Sequence, residues 1–361
     1  MKIERIHGGE PILAPMGDAW QSRCTANSSA ILLARDPWSD SVLAPILGWE
    51  RLADPRLAGG VVVSLYNGVG RRAGEAVERD FKGLAFFTPG LDLVLRLPEP
   101  VLLPSDREGD IDTMGVEDVR LTLQGRTFHA WYCGYDGTNG AACLACSDDL
   151  LHWTKTAPLP GNINRTYNKD HVAFPEKHLG KWWMLHRPWG PGFPDVRDMV
   201  TRLSTSDDLA GPWTDAGEIL RGLPQPGRRT WTGAGPAPIA LGDGRHLLIY
   251  HTGCFFEDGY RQYDAAAALI DLGRYSPQDP GAVVVGRTEP LFVPETPWEK
   301  NTELRIDIVF PVGAYVLGKD LVVVYGAGDK YTCAARLDFA ELVATLETCG
   351  TANPYGEGNT R

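Results

Sequence analysis

The segment Ser147-Asp-Asp-Leu-Leu-His-Trp153 decides the fold, because it recurs as Ser206-Asp-Asp-Leu-Ala-Gly-Pro-Trp213 about 60 positions later. A degenerate copy, Gly90-Leu-Asp-Leu93, precedes it by a similar interval, and weaker echoes follow at Leu269-Ile-Asp-Leu272 and Leu337-Asp-Phe339. Each copy follows a strand-like run of apolar residues. A period near 60 that occurs about five times in 361 residues is typical of a β-propeller, whose four-stranded blades must stack to cover both of their faces.

Short strand-like segments separated by turn residues occupy the chain around these copies. They are rich in Val, Tyr, Trp and Phe, which is typical of antiparallel sheets. Helical periodicity is limited to residues 339–346, so we expect a short helix and tail at 338–361. We predict an all-β protein, one five-bladed β-propeller domain over residues 1–361 with a central active-site cavity. The clearest strands are 60–66, 83–88, 127–133, 141–146, 182–186, 246–251, 265–270, 320–325 and 332–337.

Composition excludes several classes of function. The net charge of −11 argues against nucleic-acid binding, which requires a basic face. No apolar run approaches the roughly 20 residues that span a bilayer, and the N-terminus has no apolar signal core. We therefore predict a cytoplasmic protein with no nucleic-acid or membrane partner, and homo-oligomer formation stays open.

The seven cysteines include one Cys-x-x-Cys pair, Cys143 and Cys146. The surrounding residues are typical of a buried strand, where these two thiols would point to opposite faces. No second pair stands at zinc-ligand spacing. We expect reduced thiols, no metal site and no cofactor.

The segment Gly115-Val-Glu-Asp-Val-Arg120 places two carboxylates and a guanidinium directly ahead of a strand-like run. An acid beside a fixed cation suits a site that gives or takes one proton. The alternative is an exposed turn with a solvated Asp118–Arg120 pair, since surface ion pairs are common and weak.

Other polar residues also adjoin apolar strands, and in a propeller the innermost strands converge on one channel. Each of these residues has a structural alternative. A single His after a strand is usually a hydrogen-bonded structural residue, and Lys169 could be a solvated loop residue. Arg187 could form an ion pair with Glu176 or Asp170. The candidates that could meet in the channel are Asn27, Asp118, Arg120, Lys169, Asp170, Arg187, His251 and Asp329.

Seven motifs together resemble glycoside hydrolase family 130, the β-mannoside phosphorylases and related β-mannosidases. Gly115–Arg120 is similar to the family signature Gly-x-Glu-Asp-Pro-Arg. The resemblance runs from about residue 112 to 335 and is weak over the first 110 residues. The other motifs keep the family order: Asn168-Lys-Asp-His-Val-Ala-Phe-Pro-Glu-Lys177, Trp183-Met-Leu-His-Arg-Pro188, Gly233-Ala-Gly-Pro-Ala-Pro-Ile239, Ile249-Tyr-His-Thr-Gly253, Val309-Phe-Pro-Val-Gly313 and Tyr325-Gly-Ala-Gly-Asp329.

The resemblance implies a five-bladed propeller that cleaves a β-mannoside with inorganic phosphate and gives α-mannose 1-phosphate with inversion. It implies Asp118 as the sole catalytic acid, because phosphate arrives as an anionic nucleophile and needs no second carboxylate to activate water. It implies phosphate-binding roles for Lys169, Arg187 and His251. The candidate substrate-binding residues are Asn27, Arg120, Asp170, Tyr260 and Asp329.

The sequence departs from the family pattern mainly in the first blade. Tyr66-Asn67-Gly68 stands where the family has Tyr-Arg-Ala, with Arg71 and Arg72 a few positions on. Asn27-Ser28 replaces Asn-Pro, and Val119 replaces the Pro of the signature. We expect these changes to affect sugar recognition.

Two other functions stay open. One is a β-mannosidase on the same propeller, in which Glu176, Glu117 or another carboxylate steers water. The other is a non-catalytic carbohydrate-binding propeller, which the altered first blade would suit. Phosphorolysis predicts one geometry: Asp118, Lys169, Arg187, His251 and Asp329 line one cavity, with the three cations close enough to share a phosphate.

Overall fold

The computed structural model describes residues 1–17, 19–189 and 195–350, and it is built mainly of antiparallel β-strands. The predicted all-β class is confirmed. Within those ranges, no helix is long and apolar enough to cross a membrane. The strands are β1 (Glu4–Arg5), β2 (Ser29–Leu33), β3 (Val61–Gly70), β4 (Arg79–Phe87), β5 (Leu93–Arg96), β6 (Gly115–Gln124), β7 (Thr127–Tyr135), β8 (Gly140–Ser147), β9 (Thr154–Thr156), β10 (Tyr167–Ala173), β11 (Trp182–Trp189), β12 (Thr201–Ser206), β13 (Thr214–Leu220), β14 (Arg229–Ala234), β15 (Ile239–Ala240), β16 (Arg245–Phe255), β17 (Arg261–Asp271), β18 (Val284–Phe292), β19 (Lys300–Asn301), β20 (Ile306–Leu317), β21 (Asp320–Ala327) and β22 (Tyr331–Asp338).

The strands pair in five consecutive antiparallel groups of four. The first three groups are β2 to β5, β6 to β9 and β10 to β13. The fourth comprises β14, β16, β17 and β18, with β15 as a short addition to β16. The fifth comprises β20, β21, β22 and the N-terminal β1, where Glu4 pairs with Arg336, and β19 adds to β20. The two ends of the chain therefore share one sheet.

The hydrophobic core lies between neighbouring groups. One apolar cluster joins the first and second groups, and a second joins the second, third and fourth. A third joins the fourth and fifth, and a fourth joins the fifth to the first, where Tyr315 and Val62 belong to the same cluster. The first strands also adjoin one another: β2 lies against β6 and β20, and β10 lies against β6 and β14. The polar residues at the starts of these strands consequently come close together.

Each copy of the sequence repeat lies at or near the end of the third strand of its group. Those strands are β4, β8, β12, β17 and β22. Leu91 and Leu150 both take a positive φ, 71° and 68°, in the first two copies. The Ser147 hydroxyl accepts a hydrogen bond from the Leu150 amide at 2.9 Å, and the Thr88 hydroxyl accepts one from the Asp92 amide at 3.0 Å. The repeat is thus a side-chain-capped turn, a motif for which Ser, Thr and Asp are favoured.

The helices are α1 (Pro37–Leu47), α2 (Trp49–Leu52) and α3 (Phe339–Cys349), with short 3-10 turns at Ile6–Gly9, Pro55–Leu57, Val196–Asp198, Leu272–Arg274, Pro280–Val283 and Pro297–Glu299. The predicted helix at 339–346 is confirmed as α3, and the tail at 351–361 lies outside the described residues. The expectation of no other helical segment was wrong at α1. Its start was readable, since Asp36 and Ser39 form a capping box ahead of Pro37. Pro45 lies inside α1, and its presence in the sequence argues against a helix there because proline normally ends helices.

Candidate active site

A cavity of about 720 Å³ lies where the beginnings of the first strands converge. Its wall includes five of the predicted site residues, which come from four different strand groups: Asn27, Asp118, Lys169, Arg187 and Asp329. Residues separated by up to about 300 positions in the sequence therefore share one wall.

The backbone is strained at four of the predicted residues. Asn27, Asp118, Asp170 and Asp329 take φ values of 48°, 49°, 55° and 57°, a region that side-chain-bearing residues rarely adopt. Asp118 and Asp170 each lie in a β-bulge, within β6 and β10 respectively. Bulges re-aim side chains, and strain of this kind concentrates at functional sites.

Asp118 is 8% exposed and is held by two amides. Its Oδ1 accepts hydrogen bonds from Asn27 Nδ2 at 2.7 Å and from Asn67 Nδ2 at 3.3 Å. Its Oδ2 lies 3.7 Å from Lys169 Nζ. Burial raises the pKa of Asp118, but the charges of Lys169 and Arg120 outweigh burial and hold that pKa below its usual value. Asp118 is therefore ionised at neutral pH.

Lys169 bridges the two acids of the signature. Its Nζ lies 3.0 Å from Glu117 Oε2, in addition to its contact with Asp118. Burial lowers the pKa of Lys169, whereas the charges of Glu117 and Asp118 raise it well above the ordinary value. Lys169 also stands directly opposite Arg187 in the β10–β11 pair, so two permanent cations adjoin on this wall.

Asp170 anchors the cations from behind the wall. Its two oxygens accept hydrogen bonds from Arg120 Nη2 at 2.9 Å and from Arg187 Nε at 2.5 Å. Burial raises the pKa of Asp170, but the two guanidinium charges hold it well below its usual range. A Cβ on Gly233 would lie only 2.2 Å from Asp170 Oδ2, so only glycine leaves room for this carboxylate. Arg120 and Asp170 are both buried beyond the cavity lining, where they fix Arg187.

His251 lies in the same buried layer. It is fully buried, its Nε2 is 3.6 Å from Asp170 Oδ2, and it packs on Phe310 with ring centroids 4.5 Å apart. Neither ring nitrogen has a hydrogen-bond partner among the described residues. Burial lowers the pKa of His251 to about 3, aided by the Arg187 charge and opposed by Asp170. The imidazole is neutral at neutral pH, and it adjoins the wall without lining it, unlike the predicted geometry.

Other sequence candidates lie away from the cavity. Tyr260 borders a separate surface groove, and its hydroxyl donates a hydrogen bond to Asp307 Oδ1 at 2.8 Å. Arg71 is exposed and Arg72 half-buried, and neither lines the cavity. Glu176 is also exposed and away from the wall, whereas Glu117 lines it.

The wall contains further residues that sequence reasoning missed. Arg261 and Tyr263 alternate along β17, so both face the cavity. Asp80 also lines it, and burial raises the pKa of Asp80 to about 7, opposed by Lys82 and aided by Glu117. The available signal was Asp80 and Lys82, two charged residues at alternate positions of β4, a strand that is apolar over residues 83–87.

A buried acid, adjacent cations and a polar cavity at converging strands suit a site that gives or takes a proton beside an anion. The chain belongs to glycoside hydrolase family 130: the family model described as beta-1,4-mannooligosaccharide phosphorylase matches residues 79–348. The resemblance predicted from the motifs is confirmed.

Named relatives and solved structures that resemble this chain are consistent with its membership of the family. The chain is 29% identical over 346 residues to a 1,2-beta-oligomannan phosphorylase of Thermoanaerobacter sp. (strain X514), covering 95% of this chain and 99% of that protein. The structure of a beta-1,2-mannobiose phosphorylase from Listeria innocua, bound to beta-1,2-mannobiose, matches with a TM-score of 0.69 and 20% identity over 96% of this chain and 99% of that one. A second solved structure is described with the finding that the GH130 family of mannoside phosphorylases contains glycoside hydrolases that target beta-1,2 mannosidic linkages in Candida mannan. It matches this chain with a TM-score of 0.71 and 19% identity over 94% of both chains. The two structures share the fold.

Proposed function

We propose that this protein is an inverting phosphorylase that cleaves a β-mannoside with inorganic phosphate and releases α-mannose 1-phosphate. The observation that carries the proposal is the meeting of Asp118, Lys169 and Arg187 on one cavity wall. The proposed fold is a five-bladed β-propeller. It is supported by the five strand groups, by the repeat turn in each, and by apolar clusters that link every group to the next and the fifth to the first.

The proposed chemistry divides the site into two halves. Asp118 supplies a proton toward the departing sugar, and Oδ2 is the oxygen that carries it because Oδ1 already accepts from two amides. Arg187 and Lys169 hold phosphate, which attacks the anomeric carbon from the face opposite the departing sugar and so inverts its configuration. Arg187 Nη2 has no partner within the described residues and is available for a charge-assisted bond, while Nε and Nη1 contact Asp170 and Met199.

Phosphate binding would also raise the pKa of Asp118. The Lys169 charge contributes to the lowered pKa of this carboxyl group. A phosphate dianion beside Lys169 offsets that positive charge, so the pKa of Asp118 rises when the co-substrate binds. The co-substrate thereby favours the protonated form that a general acid requires.

Hydrolysis is the second candidate function, and one observation favours it. Glu117 lines the cavity next to Asp118 and could steer a water, whereas the other predicted carboxylate, Glu176, lies outside the cavity. Lys169 is already paired with Glu117, so a phosphate must compete with a carboxylate for this cation.

The test is turnover of β-1,2- and β-1,4-mannobiose with and without phosphate, with the anomer of the sugar phosphate assigned by NMR. Phosphorolysis predicts α-mannose 1-phosphate, formed only with phosphate. Arg187→Ala should raise the KM for phosphate by about tenfold or more, since a charged hydrogen bond is worth about 1.5–3 kcal/mol. The mannoside KM should stay nearly constant, and Arg71→Ala, an exposed arginine, serves as the control.

Free mannose released at the same rate without phosphate would identify a hydrolase. Sugar binding without any turnover would identify a non-catalytic protein. The cytoplasmic location and homo-oligomer formation stay predictions.

A further inference from the structure

A fully buried lysine lies behind the catalytic acid. Lys82 is 0% exposed and directly precedes the apolar part of β4, residues 83–87. It stands directly opposite Asn67 in the β3–β4 pair. Its Nζ donates hydrogen bonds to Asn67 Oδ1 at 2.5 Å and to Asp80 Oδ1 at 2.7 Å. Burying a lysine costs several kcal/mol before pairing, so an apolar residue would serve the core better.

Asn67 connects this ion pair to Asp118. Its Nδ2 lies 3.1 Å from Asp80 Oδ2 and 3.3 Å from Asp118 Oδ1. An amide nitrogen has two hydrogens, which is one for each carboxylate, while the amide oxygen accepts from Lys82. The opposite amide orientation would point hydrogens at an ammonium and an oxygen at two carboxylates. The three charged neighbours therefore fix the orientation of Asn67.

The fixed amide has a chemical consequence for Asp118. Together with Asn27, it gives Oδ1 two donors, and donors to the ionised form disfavour a proton on that oxygen. The proton is thereby directed to Oδ2. At the position of Asn67 the family pattern has an arginine, and here the residue directly opposite that position on the neighbouring strand is the cation Lys82.

We propose that Lys82, Asp80 and Asn67, which we name the Lys82 clamp, are positioning residues that orient the carboxylate of Asp118 for proton transfer to the leaving group. The inference rests on the proposed function only in taking Asp118 as the acid.

The test compares two substrates that differ in their need for a proton. Mannobiose has a poor leaving group, whereas the dinitrophenolate of 2,4-dinitrophenyl β-mannoside departs without protonation. Asn67→Ala should lower kcat on mannobiose by about 10–100-fold, because small misplacements of catalytic groups have effects of that size. The mannobiose KM should change less than about twofold and kcat on the dinitrophenyl substrate less than about threefold. Lys82→Met should show the same split, Lys82→Arg should recover part of the loss, and Arg71→Ala is the control.

Equal losses of kcat on both substrates would overturn the proposal, because a general structural defect does not depend on the leaving group. Unchanged turnover of mannobiose by Asn67→Ala would overturn it as well. If Lys82→Met does not fold, Asn67→Ala still decides the question, since that change leaves the Lys82–Asp80 pair intact. Failure of the proposed function is separate: it would show as wild-type turnover that is independent of phosphate.

Discussion

Asp118 and Asp170 occupy equivalent places in successive strand groups, and their surroundings differ. Each lies in the bulge of its group's first strand, with φ of 49° and 55°. Asp118 reaches the cavity and accepts hydrogen bonds from two neutral amides. Asp170 is buried behind the wall and accepts from two guanidinium groups, those of Arg120 and Arg187.

The comparison shows that partners, rather than backbone geometry, distinguish Asp118, the proposed acid, from the structural carboxylate of Asp170. Guanidinium groups are permanently charged, so Asp170 has no accessible protonated form and serves as a fixed counter-ion. The amides around Asp118 hold its position without adding charge. The Lys169 charge that lowers its pKa is also the charge that an incoming phosphate can offset.

The largest effect is expected from replacing the reactive member of this pair. Asp118→Asn should lower kcat on mannobiose by about 10²–10⁴-fold, the contribution typical of general acid catalysis. The activated dinitrophenyl mannoside should recover part of the rate because it needs less protonation. Steady-state kinetics and circular dichroism check both the loss and the intact fold. Wild-type rates on mannobiose would disprove the assignment.

Replacing the structural member should instead affect stability. Asp170→Asn leaves two buried guanidinium groups without a counter-charge, which should lower the free energy of unfolding by about 3–5 kcal/mol. Urea denaturation measures this loss, with Asp118→Asn as the matched control, for which we expect a much smaller change. Similar losses for the two variants would contradict the division of roles.

A third prediction concerns pH and tests the neutral His251 beside Asp170. The pKa of His251 is about 3 when folded against about 6.5 when unfolded, so the unfolded chain binds the extra proton. The free energy of unfolding should therefore fall as pH is lowered from about 6.5 to about 3, by up to ~1.4 kcal/mol per pH unit from this group. His251→Phe should reduce that slope in urea titrations across this range. Part of it should persist, because burial also lowers the pKa of His171 and His246. An unchanged slope would show that folding does not lower the pKa of His251.

Local pattern was enough to predict much of the architecture. Short runs rich in Val, Tyr, Trp and Phe identified the strands, and the Ser-Asp-Asp segment revealed the repeat, because both depend on neighbours within a few positions. The same holds for the segment Gly115–Arg120, the proposed catalytic segment. It could be recognised in the sequence because Glu117, Asp118 and Arg120 place opposite charges within four residues.

The tertiary structure decided which groups those residues meet. Asn27 and Asp118 are 91 positions apart, and Arg120 donates to the Ala234 carbonyl 114 positions away. It placed Tyr263 rather than Tyr260 on the cavity wall, and His251 behind that wall. It also revealed the Lys82 clamp, because a buried lysine is indistinguishable in sequence from an exposed one on a strand. Hydrogen bonds and burial depend on how the strand groups pack, and no local pattern of residues encodes that packing.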